Sequence, residues 1–384
     1  MSTNLKVLFA LTLAHFSGDF YCSYVNPLFP LFVDKLHLTL AEVGIIAGTM
    51  RMLAFIVQPC VGYLADRYQS RVFIFSGVLF AVCFIPMSGL ANGFWPLLCA
   101  VALGSIGSSM FHPSVTGMVP LYAGRRKGLS MSIFNAGGSL GFALGPMFIA
   151  WYVSRYGLEA TPWTMVGGLV ALLSLWRLIP KPKSEGMRDF GFIGAIKESL
   201  GPAWKTVALI WLVMFLRAVT GQAFLTFIPV LFVKEGFSVV AVGAMYSIFT
   251  VAGVFSGLVA GLAADRFGYK PVLLFIFFVS TPALWLFLHL EAVFVYAGAF
   301  LAGGFILAAM PLGVSMAQII APKGRSMIAS LMMGFAYGLG GFITPFVGKL
   351  ADQYGIRPVL FAIACVPLLT LPIIACLPPV KSGD

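Results

Sequence analysis

Long apolar stretches dominate this chain of 384 residues and restrict what it can fold into. We find twelve of them, each long enough for an α-helix to cross the hydrocarbon core of a bilayer, which takes about 20 residues. The runs are continuous and do not alternate every second residue, which is typical of helices and not of a transmembrane β-barrel. Only 10% of the residues are charged, against about 25% in soluble domains. The sequence therefore predicts an all-α membrane protein with twelve transmembrane helices.

A charged connection containing Pro and Gly separates the sixth span from the seventh and is predicted to be a cytoplasmic linker, residues 181–204. We therefore divide the chain into an N-terminal six-helix bundle, 1–180, and a C-terminal six-helix bundle, 205–384. The predicted spans lie near 6–33, 41–64, 72–90, 94–123, 128–153, 162–180, 205–233, 239–263, 271–289, 292–320, 326–350 and 357–378.

The 24 Lys and Arg residues are distributed unevenly along these spans. Seventeen lie in the even-numbered loops and at the two ends of the chain, and five lie in the odd-numbered loops. The positive-inside rule then places both termini in the cytoplasm. The net charge of +11 is therefore interpreted as a topology signal and not as the footprint of a nucleic-acid-binding protein.

The two halves of the chain repeat each other at a constant offset of 199 residues. GYLADR at 62–67 matches GLAADR at 261–266, and the same offset relates Pro146 to Pro345. One offset maintained across six spans predicts two pseudo-symmetric six-helix bundles in parallel orientation. Such a repeat is typical of secondary transporters that bind their substrate where the two repeats meet.

The first span has a carboxylate, Asp19, near its centre, where an unpaired charge is costly in lipid. His15 lies one turn before it, and Ser23 and Asn26 lie one and two turns after it, so the four side chains share one helical face. A polar stripe on a membrane helix is expected to face the protein interior or a water-filled cavity. The alternative is a buried polar contact that only holds helices together.

Three more ionisable groups lie near mid-depth in predicted spans: Arg51 on the second, His112 on the fourth and Arg217 on the seventh. With Asp19 ionised and His112 neutral, the four groups sum to +1, which favours an anionic ligand. Arginine also has a planar fork that suits carboxylate or phosphonate. We predict that Asp19 and His112 couple transport to protons and that Arg51 and Arg217 bind substrate. The alternatives are a permanent pair between Asp19 and one arginine, and a histidine that only fills a kink before Pro113.

Five further polar side chains within the spans are weaker candidates for contacts with the substrate. They qualify because a polar group inside a membrane helix is expected to face protein or water and not lipid. These residues are His15, Asn26, Asn135, Gln222 and Tyr337.

The sequence has no HExxH and no P-loop, and its GxSxG match, GGSLG at 137–141, lies inside a predicted transmembrane span and not at a strand-to-helix turn. Without a P-loop the chain is not expected to drive transport by its own ATP hydrolysis. We therefore predict no catalytic residue, no metal site and no cofactor, with the proton gradient as the energy source.

Several motifs resemble one family of transporters. GYLADRYQSR at 62–71 and GLAADRFGYK at 261–270 resemble the cytoplasmic signature of the major facilitator superfamily, and NAGGSLGFALGP at 135–146 resembles its glycine-rich antiporter signature. LAHFSGDF at 13–20 and FHP at 111–113 narrow the resemblance to the fosmidomycin resistance protein family.

This resemblance implies a proton-driven drug exporter of a bacterial inner membrane, working as a monomer by alternating access. It implies that spans one, four, seven and ten line the cavity. It also implies a cytoplasmic gate formed by Asp66, Arg67, Asp265 and Arg266. This sequence departs from the family pattern at one position, since Ser114 follows FHP where the family has an acid. The family's proton stoichiometry and substrate are therefore not assigned to this chain.

The predicted function is proton-coupled antiport that exports a small anionic drug or metabolite. The alternative is a proton-coupled symporter that imports an organic anion such as a monocarboxylate, because the same residues would serve either direction. A non-transporting membrane sensor is a remote alternative, and the charged residues within the spans argue against it. The expected partners are a small-molecule substrate and the lipid bilayer.

Overall fold

The secondary structure is helical wherever the computed structural model describes the chain, and those residues contain no strand. By length and composition, ten helices in the described part could cross a membrane. The described residues of the other two predicted spans are also mostly helical, but the first span is broken and the eleventh has a π-helical turn at Leu331–Phe335. The predicted all-α membrane fold is thus confirmed. The described residues are 4–67, 70–123, 127–181, 197, 200–321, 328 and 331–380.

In the first half of the chain the helices follow the predicted spans. The first span is broken between α1 and α2 because Pro27 has no N–H and its ring would clash with the carbonyl of Ser23, four residues earlier. The helices are α1 Leu5–Cys22, α2 Val25–Leu36, α3 Leu40–Arg67, α4 Ser70–Met87, α5 Phe94–Tyr122, α6 Lys127–Tyr156 and α7 Met165–Leu175, with 3-10 helices at Ser88–Leu90 and Leu158–Thr164.

In the second half the last span is broken in the same way, since Pro367 removes the hydrogen bond to the carbonyl of Ile363. The helices are α8 Trp204–Lys234, α9 Val239–Phe267, α10 Tyr269–His289, α11 Phe294–Ile320, α12 Ala336–Tyr354, α13 Ile356–Ile363 and α14 Val366–Ala375, with a 3-10 helix at Gly201–Ala203 and the π-helical turn at Leu331–Phe335.

The helix boundaries reproduce the sequence repeat. The first long helices of the two halves, α1 and α8, begin at Leu5 and Trp204, and the next pair, α3 and α9, begin at Leu40 and Val239. Both pairs of starting residues are 199 apart, which is the offset of the repeated motifs. Equivalent stretches of the two halves therefore form equivalent helices.

Contacts within the chain define two compact units, each assembled from segments of both sequence halves. Unit 1 contains Met1–Leu38, Met52–Arg188 and Phe232–Ser247, and unit 2 contains Thr39–Arg51, Asp189–Leu231 and Ile248–Asp384. The residues of α3, α8 and α9 are each divided between the units. The predicted linker at 181–204 falls mostly outside the described residues, and the predicted bundle boundaries remain a prediction.

Within unit 1, α1 packs along the glycine-rich face of α6. A Cβ added at Gly141 would lie 2.3 Å from the carbonyl oxygen of Phe16, and one at Gly145 would lie 2.0 Å from Ser23 Oγ. Small residues let two membrane helices approach this closely and gain dispersion contacts. The NAGGSLGFALGP motif therefore brings α6 against the polar face of α1.

Within unit 2, α10 packs against α11 and α14. Large apolar side chains of α10 and α11, among them Phe277 and Leu312, are buried in this core. Because lipid tails are as apolar as these side chains, dispersion and close packing hold the helices together more than removal from water does.

Candidate functional site

Asp19 lies in unit 1 between two imidazoles. Its Oδ2 is 3.3 Å from Nε2 of His15, one turn earlier on α1, and its Oδ1 is 3.1 Å from Nε2 of His112 on α5. The Asp19 and His15 side chains are mostly buried, and the His112 side chain is 28% exposed. The two residues predicted to couple protons, Asp19 and His112, are therefore in direct contact.

His15 is held in place by α6. Its Nδ1 lies 3.0 Å from the carbonyl oxygen of Phe134, and the two rings stack with centroids 4.2 Å apart. A Cβ added at Gly138 would lie 2.3 Å from His15 Nε2, so only glycine leaves room for the ring there. The structure places His15 beside Asp19, as the shared helical face predicted, and its contact with substrate stays a prediction.

The tautomer of His15 follows from these contacts. A carbonyl oxygen only accepts hydrogen bonds, so the Nδ1 that faces Phe134 must have the hydrogen. A neutral His15 then has a lone pair on Nε2, facing the carboxylate oxygen of Asp19. Two acceptors face each other favourably only when a proton lies between them. The contact between His15 Nε2 and Asp19 Oδ2 is therefore a hydrogen bond only when a proton lies between these two atoms.

The same three side chains have ligand atoms of the kind that bind transition metals, and these atoms lie within 4.8 Å of one another. Two imidazoles and one carboxylate could hold such an ion with positions left open. The sequence predicted no metal site. The observed N···O distances also suit direct hydrogen bonds, which need no ion.

Arg217 is buried in unit 2 with neutral partners. Its Nε donates to the carbonyl oxygen of Ile306 at 2.8 Å, and its Nη1 donates to the hydroxyl of Tyr337 at 2.7 Å. The guanidinium carbon lies 5.2 Å from the centroid of the Tyr337 ring, a cation–π arrangement. Arg217 is only 2% exposed. Two predicted substrate residues, one from α8 and one from α12, are thus brought together.

Arg51, at the middle of α3, also belongs to unit 2 and has a neutral partner. Its Nε donates to Oε1 of Gln222 on α8 at 3.2 Å. Gln222 lies five residues after Arg217 on the same helix, but it contacts the other arginine. The spacing of the two residues alone did not reveal this pairing.

Of the two predicted asparagines, Asn26 is buried and Asn135 is exposed on α6. Asn26 Nδ2 donates to the hydroxyl of Tyr246 at 3.0 Å, within unit 1. Tyr246 was missed by sequence reasoning, because an aromatic residue inside an apolar helix gives no distinguishing signal.

The predicted cytoplasmic gate is described only in part. The side chains of Asp66 and Arg67 lie outside the described part of the structure. Asp265 and Arg266 are exposed at the end of α9, where the guanidinium carbon of Arg266 lies 5.3 Å from the ring centroid of Phe267.

Asp352, at the end of α12, is a further residue that sequence reasoning missed. Its carboxylate accepts hydrogen bonds from the backbone at the start of α3. A signal was present, because GKLADQY at 348–354 has the same pattern as GYLADRY at 62–68. The motif thus occurs a third time, and here its acid caps a helix N-terminus.

Comparison with known proteins identifies relatives over nearly the whole chain. The Fosmidomycin resistance protein of Escherichia coli (strain K12) is 27% identical over 380 residues, which cover 96% of this chain and 91% of the relative. An uncharacterized transporter of Bacillus subtilis (strain 168), YfnC, is 26% identical over 96% of this chain and 92% of its own. The Multidrug resistance protein MdtG of Citrobacter koseri is 25% identical over 68% of this chain and 67% of its own.

Solved structures share the fold at low sequence identity. A bacterial homologue of the human lysosomal transporter Spinster has a TM-score of 0.80 at 16% identity, covering 97% of both chains. The nucleoside transporter NupG has a TM-score of 0.78 at 13% identity, covering 96% of this chain and 98% of its own.

The family comparison agrees with the motifs. The model of the Major Facilitator Superfamily matches residues 11–345 and also 210–383. The resemblance predicted from the DR loops and the glycine-rich motif is confirmed. The chain therefore belongs to the Major Facilitator Superfamily and is a multi-pass membrane transporter.

Proposed function

We propose that this protein is a proton-coupled antiporter that exports a small anionic drug or metabolite by alternating access, without enzymatic activity. The observation that carries the proposal is the contact of Asp19 with two imidazoles, in which the Nδ1 of His15 is held by the Phe134 carbonyl. This arrangement supplies a proton site inside the membrane-spanning part of the chain.

The charge of this site provides the coupling. With both imidazoles neutral, the trio of Asp19, His15 and His112 has a net charge of −1, and one added proton makes it neutral. A buried negative charge is costly in a membrane protein, and the cost depends on how much water reaches it. Two conformations that differ in water access therefore differ in proton affinity, and proton uptake shifts the balance between them.

The arginines support an anionic substrate. Among the described residues, the hydrogen-bond partners of Arg51 and Arg217 are an amide, a carbonyl and a phenol hydroxyl, none of which is charged. Each guanidinium therefore keeps its positive charge within unit 2. A positive, partly desolvated surface attracts anions and disfavours cations.

The names of the relatives favour export as the direction of transport. The names of the E. coli and C. koseri relatives refer to resistance to fosmidomycin and to multiple drugs. Resistance of this kind fits export, so we favour antiport over import by symport. The Lys and Arg distribution of the loops supports both termini in the cytoplasm. The bacterial relatives support a location in a bacterial inner membrane.

A flux assay in proteoliposomes tests the proposal. The purified protein is reconstituted, and uptake of anions, neutral compounds and cations is measured under an imposed pH gradient. Antiport predicts that an acidic lumen drives uphill uptake of an anion and that a protonophore abolishes this uptake. Uptake driven by an acidic exterior would instead show symport. Proton coupling would be refuted if the rate of anion flux stayed the same whether the lumen or the exterior was acidic.

A further inference from the structure

Arg51 is fixed against the backbone of α12. A Cβ added at Gly341 would lie 2.5 Å from the Cβ of Arg51, and a Cβ added at Gly48, one turn before Arg51, would lie 2.7 Å from the carbonyl oxygen of Gly341. The two helices are therefore almost in backbone contact at this level. The half-buried arginine side chain starts from a rigid base and extends to α8, where its Nε meets Gln222.

The amide orientation of Gln222 is determined by that contact. Arginine Nε only donates, so the atom that faces it must be the amide oxygen, and the opposite assignment would place two donors together. The NH₂ group of Gln222 therefore points away from Arg51. Gln222 is 3% exposed, and its Nε2 has no hydrogen-bond partner among the described residues.

Thr226 lies one turn after Gln222 on the same face of α8. It is fully buried, and its Oγ1 also has no hydrogen-bond partner among the described residues. The hydroxyl of Thr220 on the same helix is equally buried but donates to the carbonyl oxygen of Leu216 at 3.3 Å. The missing partner of Thr226 is therefore not a general property of threonines in α8.

The chemistry of these groups points to one class of ligand. Arg51 and the Gln222 NH₂ group have only donors to offer, and the Thr226 hydroxyl can donate as well. A buried polar group without a partner is rare and needs an explanation. Donors on one face of α8, one of them on a side chain that contacts a guanidinium, suit recognition of an oxyanion.

We propose that Arg51, Gln222 and Thr226 form the subsite that binds the oxyanion head group of the substrate, a carboxylate or a phosphonate. This inference rests on the proposed transport of an anion and assigns its head group to one of the two arginines. Arg217 is the less suitable of the two because its Nε and Nη1 are already bonded to Ile306 and Tyr337.

Ligand binding to the purified full-length protein in detergent tests the subsite without requiring transport. The probes are benzoate and phenylphosphonate, which represent the two head groups, with uncharged benzamide as the reference compound. Affinity is measured by calorimetry for the wild type, Thr226→Val and Gln222→Glu. Thr220→Val is the matched control, since it removes a hydroxyl from the same helix at the same burial.

We expect Thr226→Val to weaken binding of the preferred anion about tenfold or more, because one hydrogen bond to a charged group is lost. Gln222→Glu should abolish binding, since its carboxylate would pair with Arg51 and repel the ligand. Thr220→Val should bind as the wild type does. The ratio of benzoate to phenylphosphonate affinity identifies the head group.

The outcomes separate this inference from the proposed function. If the wild type binds an anion but Thr226→Val and Gln222→Glu bind it equally well, these residues do not form the head-group subsite. The proposed transport of an anion would be unaffected by that result. Resident water that satisfies the same donors would give that result. If the wild type binds neither anion above the level of benzamide, both the subsite and the anionic substrate are refuted.

Discussion

Asp352 binds both of the first backbone N–H groups of α3: its Oδ1 accepts from Leu40 at 2.8 Å and its Oδ2 accepts from Ala41 at 2.9 Å. The neighbouring residues complete the cap. Glu42 Oε2 accepts from the backbone N–H of Thr39 at 2.8 Å, and Thr39 Oγ1 accepts from the N–H of Glu42 at 3.1 Å. Four donors that a helix start leaves without an intrahelical partner are thereby satisfied, with negative charge at the positive end of the helix dipole.

We expect Asp352→Ala to loosen the start of α3. Loss of a helix cap costs about 0.5–2 kcal/mol, which corresponds to roughly a 2- to 30-fold faster amide exchange if the first turn opens locally. Hydrogen exchange of the peptide that contains residues 38–45 measures the effect. Asp34→Ala, which removes an exposed acid from α2, is the control. Equal exchange in the two variants would show that the cap does not stabilise α3.

Asp19→Asn should uncouple transport from protons. The amide has nearly the volume of the protonated acid but cannot release or take up a proton. We expect proteoliposomes with this variant to lose uphill, pH-driven uptake and to keep downhill exchange of substrate. Asp34→Asn should behave as the wild type does. Full pH-driven uptake by Asp19→Asn would rule out Asp19 as the coupling acid.

The two histidines should respond differently to replacement by glutamine. His15 is buried, stacked on Phe134 and bonded to its carbonyl, so His15→Gln should lower the free energy of unfolding by about 1–3 kcal/mol. His112 is partly exposed, so His112→Gln should change stability by only about 0.5 kcal/mol. Both variants should alter the pH dependence of transport. Thermal unfolding measures the change in stability, and flux measured across a range of pH gives the pH profile. An unchanged pH profile in His112→Gln would show that this residue is not part of the proton site.

Two glycine substitutions test the packing around Arg51. Gly341→Ala would place a methyl group 2.5 Å from the Cβ of Arg51, whereas a Cβ at Gly221 would meet nothing within 4 Å. We expect Gly341→Ala to destabilise the protein by about 1–3 kcal/mol and to weaken anion binding, because Arg51 must shift. Gly221→Ala should be neutral or stabilising, since alanine is the better helix former. Equal melting temperatures in detergent would contradict the close approach of α3 and α12.

Asp66→Ala and Asp265→Ala should disturb conformational cycling more than substrate binding. The family resemblance implies that each acid caps a helix at the cytoplasmic gate, and loss of such a cap would cost about 0.5–2 kcal/mol, enough to shift a balanced two-state equilibrium several-fold. Cysteine labelling from each side of the membrane measures the shift, and Glu291→Ala, at an exposed loop acid, is the control. Normal transport with unchanged labelling in both variants would show that Asp66 and Asp265 do not act at a cytoplasmic gate.

The sequence by itself determined the helices and their repetition. Span length depends on hydrophobic length, and the offset of 199 is visible in the repeated motifs, so both follow from the order of residues along the chain. The shared face of His15 and Asp19 also followed from helical periodicity alone. These properties need no knowledge of which helices pack together.

Only the tertiary structure decided which group each polar side chain meets. The sequence left open whether an arginine pairs with Asp19, and the packing of α1 on α5 and α6 gives it His112 and sets the tautomer of His15 through the Phe134 carbonyl. Likewise, the packing of α3 and α8 within unit 2 brings Arg51 to Gln222, 171 residues away in the chain. Such partners come from residues far apart in the chain, and their choice depends on helix separations of a few ångströms, which no local pattern encodes.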